Sequence, residues 1–80
     1  MTNPYIDEFG NKVWRNSNGK LHRDDGPAIE CINGDKFWHI NGIRHREDGA
    51  AIEWADGSKV WWINGQPIKR ILKIHKFIRI

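Results

Sequence analysis

Two clusters in this sequence combine residue types from which metal sites and hydrolytic sites are built. Each holds a histidine, an arginine and an aspartate: His22, Arg23 and Asp25, then His45, Arg46 and Asp48. Imidazole and carboxylate groups can hold a metal ion or exchange a proton with a substrate. A zinc ion normally takes three or four converging ligands, however, and neither cluster places a nucleophile beside a base. We therefore expect no metal, no cofactor and no catalytic residue, and a hydrolase or metal enzyme is the least favoured reading.

Both clusters belong to a repeat of 23 residues. Residues 22–44 and 45–67 align without a gap and are identical at 13 of 23 positions, and a partial copy, residues 7–21, precedes them. Residues identical in both copies must serve what both copies do, which is to fold and to stack on neighbours. We interpret these residues as structural: Trp14, Trp38, Trp61, His22, His45, Arg23, Arg46, Asp25 and Asp48. In detail, we expect the aspartates to accept turn amides, the arginines to pair with acids, and the histidines to pack on tryptophan.

Turn signals recur through the repeats and predict an all-β fold. The eight glycines are spaced seven to nine residues apart, as turns are in a meander of short strands. Asn33-Gly34 and Asp56-Gly57 each predict a hairpin with a two-residue loop, and Asn41-Gly42 and Asn64-Gly65 predict a second hairpin turn per repeat. We expect stacked hairpins that form a curved single sheet within one domain, residues 1–80.

A two-residue loop at Asp56-Gly57 sets the strand faces and therefore the core. It pairs Ile52 with Trp61 and leaves Glu53, Val60 and Trp62 on the opposite face. The expected core is a tryptophan column backed by isoleucines: Trp14, Trp38 and Trp61 with Ile29, Ile40, Ile52 and Ile63. Glu30 and Glu53 are expected to face solvent.

The charge of the chain is divided between a body and a tail. The 80 residues (9.4 kDa) hold 13 basic and 10 acidic side chains. Residues 1–65 have a net charge of −2, whereas residues 66–80 carry five basic residues and no acidic one. The chain shows neither a membrane-spanning run nor a signal peptide, and Cys31 is its only cysteine, so we expect a cytoplasmic, reducing location.

The basic tail is ambiguous between helix and strand. We expect residues 68–80 to cap the open end of the hairpin stack, with a helical turn or irregular chain after Pro67 and a strand from about Lys73. Because an array of about three repeats is usually needed for stability, we also predict a homo-oligomer that forms through the tail or the sheet edge.

The repeated pattern resembles MORN-type repeats, in the variant form of small phage, bacterial and large-virus proteins. The resemblance covers roughly residues 7–67 and is carried by Trp38, Asn41, Gly42, His45, Arg46, Asp48, Gly49 and Ala51, and again from Trp14 through Ala28. It implies stacked hairpins used for binding rather than for chemistry. It also implies a phage-type protein that binds and blocks a host protein, for example a defence enzyme.

Positions that differ between the copies are free to serve a partner. Together with the tail cations they give a predicted partner-binding set: Trp54, Trp62, His39, Phe37, Lys69, Arg70, Lys73 and Lys76. For Trp62 an equal alternative is packing beneath the C-terminal segment. The function that this set favours is binding of a protein. The alternative is binding of an anionic nucleotide or single-stranded nucleic acid through tryptophan, lysine and arginine.

Overall fold

Short antiparallel strands make up the chain in the computed structural model, which describes residues 4–72. They are β1 (Tyr5–Ile6), β2 (Lys12–Val13), β3 (Ile29–Glu30), β4 (Lys36–Phe37), β5 (His39–Ile40), β6 (Ile43–Arg44), β7 (Ile52–Glu53), β8 (Lys59–Ile63) and β9 (Gln66–Ile71). Seven of them form one sheet in the order β1-β2-β3-β4-β7-β8-β9, and β5 pairs with β6 in a second, small sheet. The all-β prediction is confirmed for these residues, but they form two sheets where a single sheet was expected.

The second sheet arises because residues 22–44 supply two hairpins rather than one. The first, β3–β4, joins the large sheet, and β5–β6 follows it after Trp38. Residues 45–51 then bring the chain back, so that β7 pairs with β4. The Trp38 N–H donates to the Ala51 carbonyl at 2.8 Å, and the Trp14 N–H makes the corresponding bond to the Ala28 carbonyl at 2.8 Å. The same backbone connection is therefore made twice along the chain.

The two Asn-Gly turns that follow the tryptophans have the predicted two-residue form. Ile40 pairs with Ile43 across Asn41-Gly42, and Ile63 pairs with Gln66 across the later turn. Asn41 and Gly42 have φ angles of 51° and 81°. A type I′ turn needs positive φ at both central positions, which asparagine and glycine adopt most readily.

The other loops are one residue longer than predicted. At Asp56-Gly57 the Trp54 N–H donates to the Ser58 carbonyl at 2.9 Å, so the loop holds three residues. Gly57 has a φ of 95°, and the Asp56 carboxylate accepts the Ser58 N–H at 2.8 Å. A turn followed by a left-handed glycine is the usual three-residue hairpin connection. The predicted two-residue loop is therefore wrong.

This longer loop moves the strand register by one residue and changes the core. Ile52 pairs with Val60, not Trp61, and its other neighbour is Phe37. A shift of one residue exchanges the two faces of a strand. The buried apolar residues are Val13, Trp14, Ala28, Ala50, Ala51 and Ile52. Of the expected core, only Trp14 and Ile52 are buried, and the others are half-buried: Trp38, Trp61, Ile29, Ile40 and Ile63.

Ala51, like Ala28 in the earlier repeat, is completely buried in the core. We expect Ala51→Leu to lower the free energy of unfolding by about 1–3 kcal/mol, because overpacking forces neighbouring side chains and backbone apart. Ala55→Leu, in an exposed loop of the same repeat, should change it by less than about 0.5 kcal/mol. Urea denaturation of both variants tests this, and equal effects would show that Ala51 is not confined.

The start of the tail is a strand, which corrects the expected helical turn or irregular chain after Pro67. β9 pairs with β8 along its length, with a bulge between Trp61 and Trp62. Proline is tolerated at such a place because an edge strand or a bulge does not need its missing N–H. The strand predicted from Lys73 lies outside the described residues. Within residues 4–72 there is no helix that is long and apolar enough to span a membrane.

β9 has a neighbouring strand on only one side among the described strands. It ends the sheet with exposed apolar residues, Ile68, Ile71 and Leu72, which are 60%, 48% and 55% exposed. Because an unpaired strand edge recruits other chains, self-association stays our prediction. Sedimentation velocity at micromolar concentration should show a dimer or larger species, and a stable monomer would contradict it.

Candidate binding surface

Arg46 is the centre of a cluster that ties three parts of the repeat together. Its Nε donates to Asp48 at 3.0 Å, and its Nη1 donates to Glu53 at 3.0 Å and to the Ala50 carbonyl at 2.9 Å. Its guanidinium carbon lies 4.0 Å from the centroid of the Trp38 ring. The earlier repeat holds the same cluster, made by Arg23 with Asp25, Glu30, the Pro27 carbonyl and Trp14.

The arginine clusters correct two details of the sequence-based interpretation. Asp25 and Asp48 accept guanidinium N–H groups in these clusters, where turn amides were expected. Glu30 and Glu53 are ion-paired, with side chains only 32% and 30% exposed, rather than solvated. The groups stacked on Trp14 and Trp38 are the guanidinium groups of Arg23 and Arg46.

The clusters also explain why an Asp-Gly pair follows each of these arginines. A Cβ atom added to Gly49 would lie 2.8 Å from the guanidinium carbon of Arg46, and Gly26 stands in the same relation to Arg23. Real Cβ atoms do not approach so closely, so any side chain there displaces the arginine. Gly26 and Gly49 are therefore part of the clusters, because each leaves the space that the guanidinium group occupies.

The two histidines that recur at the same repeat position, His22 and His45, are each fixed through both ring nitrogens. The Nδ1 of His45 accepts the Asn64 N–H at 2.9 Å, and its Nε2 lies 3.2 Å from Glu47. His22 makes the same contacts with Asn41, at 2.9 Å, and Asp24, at 3.1 Å. A ring with one proton, on Nε2, satisfies both contacts. His22 and His45 therefore join successive hairpins. Residues 4–72 contain no group of three or more His, Cys, Asp or Glu side chains that could hold a metal ion.

An open groove of about 830 Å³ runs between the two clusters. Its arginines are both occupied by the ion pairs above, whereas its acids point to solvent: Asp24, Asp25, Glu47 and Asp48 are 72–88% exposed. Such a surface repels anionic ligands. The repeated residues therefore do not form a site for a phosphate or a nucleic acid.

A second groove, of about 620 Å³, contains four residues that differ between the repeats, Trp54, Val60, Trp62 and Pro67. We call it the aromatic groove; its lining is Ile52, Trp54, Val60, Trp62, Pro67, Lys69 and Arg70. Four of these belong to the predicted partner-binding set: Trp54, Trp62, Lys69 and Arg70. Phe37, also predicted, packs against Trp54 edge-to-face with ring centroids 5.5 Å apart. Among the described residues, no acidic side chain lines this groove, and Trp54 is 38% exposed.

Lys69 has a structural contact that the sequence did not suggest. Its Nζ lies 4.8 Å from the centroid of the Trp61 ring, the place that arginine occupies over the two earlier column tryptophans. Arg70 is exposed and has no ion pair within the described part of the chain. The remaining predicted cations, Lys73 and Lys76, lie outside the described residues.

His39 corrects the predicted surface, because it is buried rather than exposed. Only 6% of its surface is accessible. Burial, and then the charge of Arg44, lower the pKa of His39 below its ordinary value. The two residues pair directly across β5 and β6. His39 thus lies beneath the surface that it was expected to help form.

Arg44 is the residue that sequence reasoning missed. Its guanidinium carbon lies 5.0 Å from the Trp62 ring centroid and 5.7 Å from that of Phe37. Three buried nitrogens have no hydrogen-bond partner here: Arg44 Nε, Trp62 Nε1 and His39 Nδ1. We call these three residues the Arg44 cluster. A signal was present in the repeat alignment, where Arg44 matches Pro67 and is therefore not part of the shared framework.

No family model, curated protein or solved structure matches the chain. The chemistry of the surface has to follow from its own geometry. The aromatic groove offers apolar and aromatic area with a basic rim, and the Arg44 cluster beside it offers hydrogen-bond donors. Together they can bind an apolar group next to an anionic one.

The lowered pKa of His39 has a measurable consequence for stability. The unfolded chain binds a proton at His39 near pH 6.5, whereas the folded chain binds it only at lower pH. Acidification through that window therefore favours the unfolded state, so stability should fall as the pH drops from 7.5 to 5.5. His39→Gln should reduce this fall, because the other histidines are common to both proteins. Thermal melts across the range test it, and equal slopes would contradict it.

Proposed function

We propose that this chain is a non-catalytic binding module whose aromatic groove takes up part of a protein partner. The observation that carries the proposal is the meeting of Trp54, Trp62 and Arg70 in one groove without an acidic residue. Tryptophan and arginine are enriched among the residues that dominate binding energy at protein interfaces. The partner segment that suits the groove is apolar with acidic neighbours.

The state of the repeated residues supports binding rather than catalysis. His22, His45, Arg23 and Arg46 are all engaged in contacts that join strands and turns. The resemblance to MORN-type repeats supports the same conclusion. In its finer form the proposal is that the partner is a host protein, such as a defence enzyme, which the chain binds and blocks; this form rests on the resemblance.

A second candidate is an anionic nucleotide or single-stranded nucleic acid. The unpaired donors of the Arg44 cluster favour this candidate, because nucleic-acid bases stack on tryptophan while arginine binds the phosphates. Against it, residues 1–65 carry a net charge of −2, so no continuous basic track follows the sheet. Tryptophan fluorescence that does not respond to oligonucleotides or cyclic nucleotides at about 50 mM salt would exclude it.

Affinity capture with matched variants tests the proposed function. The wild-type chain and Ile32→Ala should recover the same protein, because Ile32 is 74% exposed but lies outside the groove. The double variant Trp54→Ala, Trp62→Ala should not recover it. The recovered protein is then purified and its affinity for each variant is measured by calorimetry. Equal affinities for wild type and double variant would overturn the proposal.

A further inference from the structure

The Arg44 cluster contains three buried side-chain nitrogens that have no hydrogen-bond partner within residues 4–72. His39 is only 6% exposed, and its Nδ1 has no hydrogen bond. Arg44 Nε and Trp62 Nε1 are buried and equally unpaired. More than nine in ten buried polar groups in proteins have a partner, so three orphans in one place indicate a site that something else completes.

Arg44 differs in this respect from the other two arginines of the repeats. Arg23 and Arg46 each pair with one aspartate and one glutamate at 3.0–3.1 Å. No ion pair among residues 4–72 includes Arg44, whose guanidinium lies near the rings of Trp62 and Phe37. A half-buried guanidinium without a counter-charge is costly, and a carboxylate supplied from outside would offset that cost.

We propose that the Arg44 cluster receives the side-chain carboxylate of an aspartate or glutamate of the partner protein. The Nε–H and one Nη–H of a guanidinium match the two oxygens of a carboxylate in a single plane. Trp62 Nε1–H, and a neutral His39 ring with its proton on Nδ1, are further unpaired donors of the same cluster. Because these nitrogens are buried, the carboxylate reaches them only when the side chains that cover them move aside. The proposal rests on the proposed function and names the chemical group by which the partner is recognised.

A protein carboxylate suits this place better than a phosphate chain. Trp62 connects the cluster to the aromatic groove, whose apolar part, Ile52, Val60 and Pro67, fits an aliphatic or aromatic side chain adjacent to the acidic one. The tail of the chain cannot supply an acidic side chain, because residues 66–80 contain no aspartate or glutamate. The partner that the groove already favours is the source that we propose for the carboxylate.

Titration of the ¹⁵N-labelled full chain, followed by NMR, tests the inference without an identified partner. The probes are acetyl-Leu-Glu-amide, its neutral match acetyl-Leu-Gln-amide, and inorganic phosphate, all at constant ionic strength. The glutamate peptide should shift the Trp62 indole N–H and the Arg44 Nε–H saturably, at about 10 mM or tighter, and the glutamine peptide should not. Equal shifts from both peptides, or shifts centred on Trp14 and Trp38, would overturn the inference. Tighter binding of phosphate at the same atoms would assign the site to a phosphate ligand instead.

Two variants show whether the atoms named are the ones that bind. Arg44→Met should weaken binding of the glutamate peptide at least tenfold. Trp62→Phe keeps an aromatic ring but removes the indole N–H, and should weaken binding of the same peptide several-fold. This second variant keeps the test informative if Arg44→Met does not fold. Lys12→Met, which removes an exposed cation elsewhere, should bind as the wild type does.

The inference and the proposed function can fail separately. If the Trp54→Ala, Trp62→Ala variant binds the captured protein as the wild type does but the glutamate-specific shifts appear, the carboxylate site is supported and the proposed protein-binding function is overturned. If the partner is captured but Arg44→Met leaves its affinity unchanged, the inference alone is overturned.

Discussion

Arg46→Met is expected to lower the free energy of unfolding by about 2–3 kcal/mol. The substitution keeps an apolar chain of similar length but removes the donors to Asp48, Glu53 and the Ala50 carbonyl. It leaves Glu53 half-buried with only Lys59, at 3.6 Å, as an ion-pair partner. It also removes the cation that lies over the Trp38 ring. Urea denaturation followed by circular dichroism measures the change.

Two comparisons show whether the loss belongs to the cluster. Arg23→Met should cost about as much, because the earlier repeat makes the same contacts. Lys59→Met should cost less than about 0.5 kcal/mol, since its side chain is 45% exposed and the ion pair is long. Arg46→Lys should not restore stability, because an ammonium group cannot make the forked contacts of a guanidinium. Stability of Arg46→Met within about 0.5 kcal/mol of the wild type would show that the repeated residues are not a framework.

Trp54→Ala is expected to weaken partner binding about 30-fold or more, while the free energy of unfolding falls by about 1–3 kcal/mol and the chain stays folded. The effect on binding follows from the place of Trp54 in the aromatic groove, where truncation of a central aromatic residue typically costs about 2 kcal/mol or more. The effect on stability is moderate because Trp54 is 38% exposed, and it includes the loss of the ring contact with Phe37.

The matched control for Trp54→Ala is Ile32→Ala, which removes a more exposed apolar side chain outside the groove. Calorimetry with the captured partner should give wild-type affinity for Ile32→Ala. If Ile32→Ala and Trp54→Ala lower the affinity for the partner equally, binding depends on general surface hydrophobicity and not on the aromatic groove.

The two kinds of glycine turn show how far local sequence determines this fold. Asn41-Gly42 was predictable because both residues readily take the positive φ that a two-residue turn requires. Asp56-Gly57 carries an equally strong signal but forms a three-residue loop, in which only Gly57 has positive φ. The Asp56 carboxylate bonds to the Ser58 amide and so stabilises the longer loop. Nothing in the dipeptide itself distinguishes the two loops, and the difference of one residue changed the predicted core.

The binding surface was predictable in its aromatic part and not in its cationic part. Trp54 and Trp62 stood out because the earlier repeat has other residues at those positions. The contribution of Arg44 depends on a neighbouring strand, since its orphaned donor lies beside the Trp62 ring of another hairpin. Lys69 was expected to be free for a partner, yet it covers Trp61 because the last repeat lacks the arginine found in the others. Such substitutions between repeats are visible only once the hairpins are stacked.

We interpret the repeated residues as a framework and the variable residues as the binding surface. NMR of the ¹⁵N-labelled chain with the captured partner tests this interpretation most directly. The partner should shift the indole signals of Trp54 and Trp62 and the amides of Lys69 and Arg70, and leave those of His22 and His45 in place. Shifts centred on His22, His45 and the exposed acids beside them, with the aromatic groove unchanged, would contradict it.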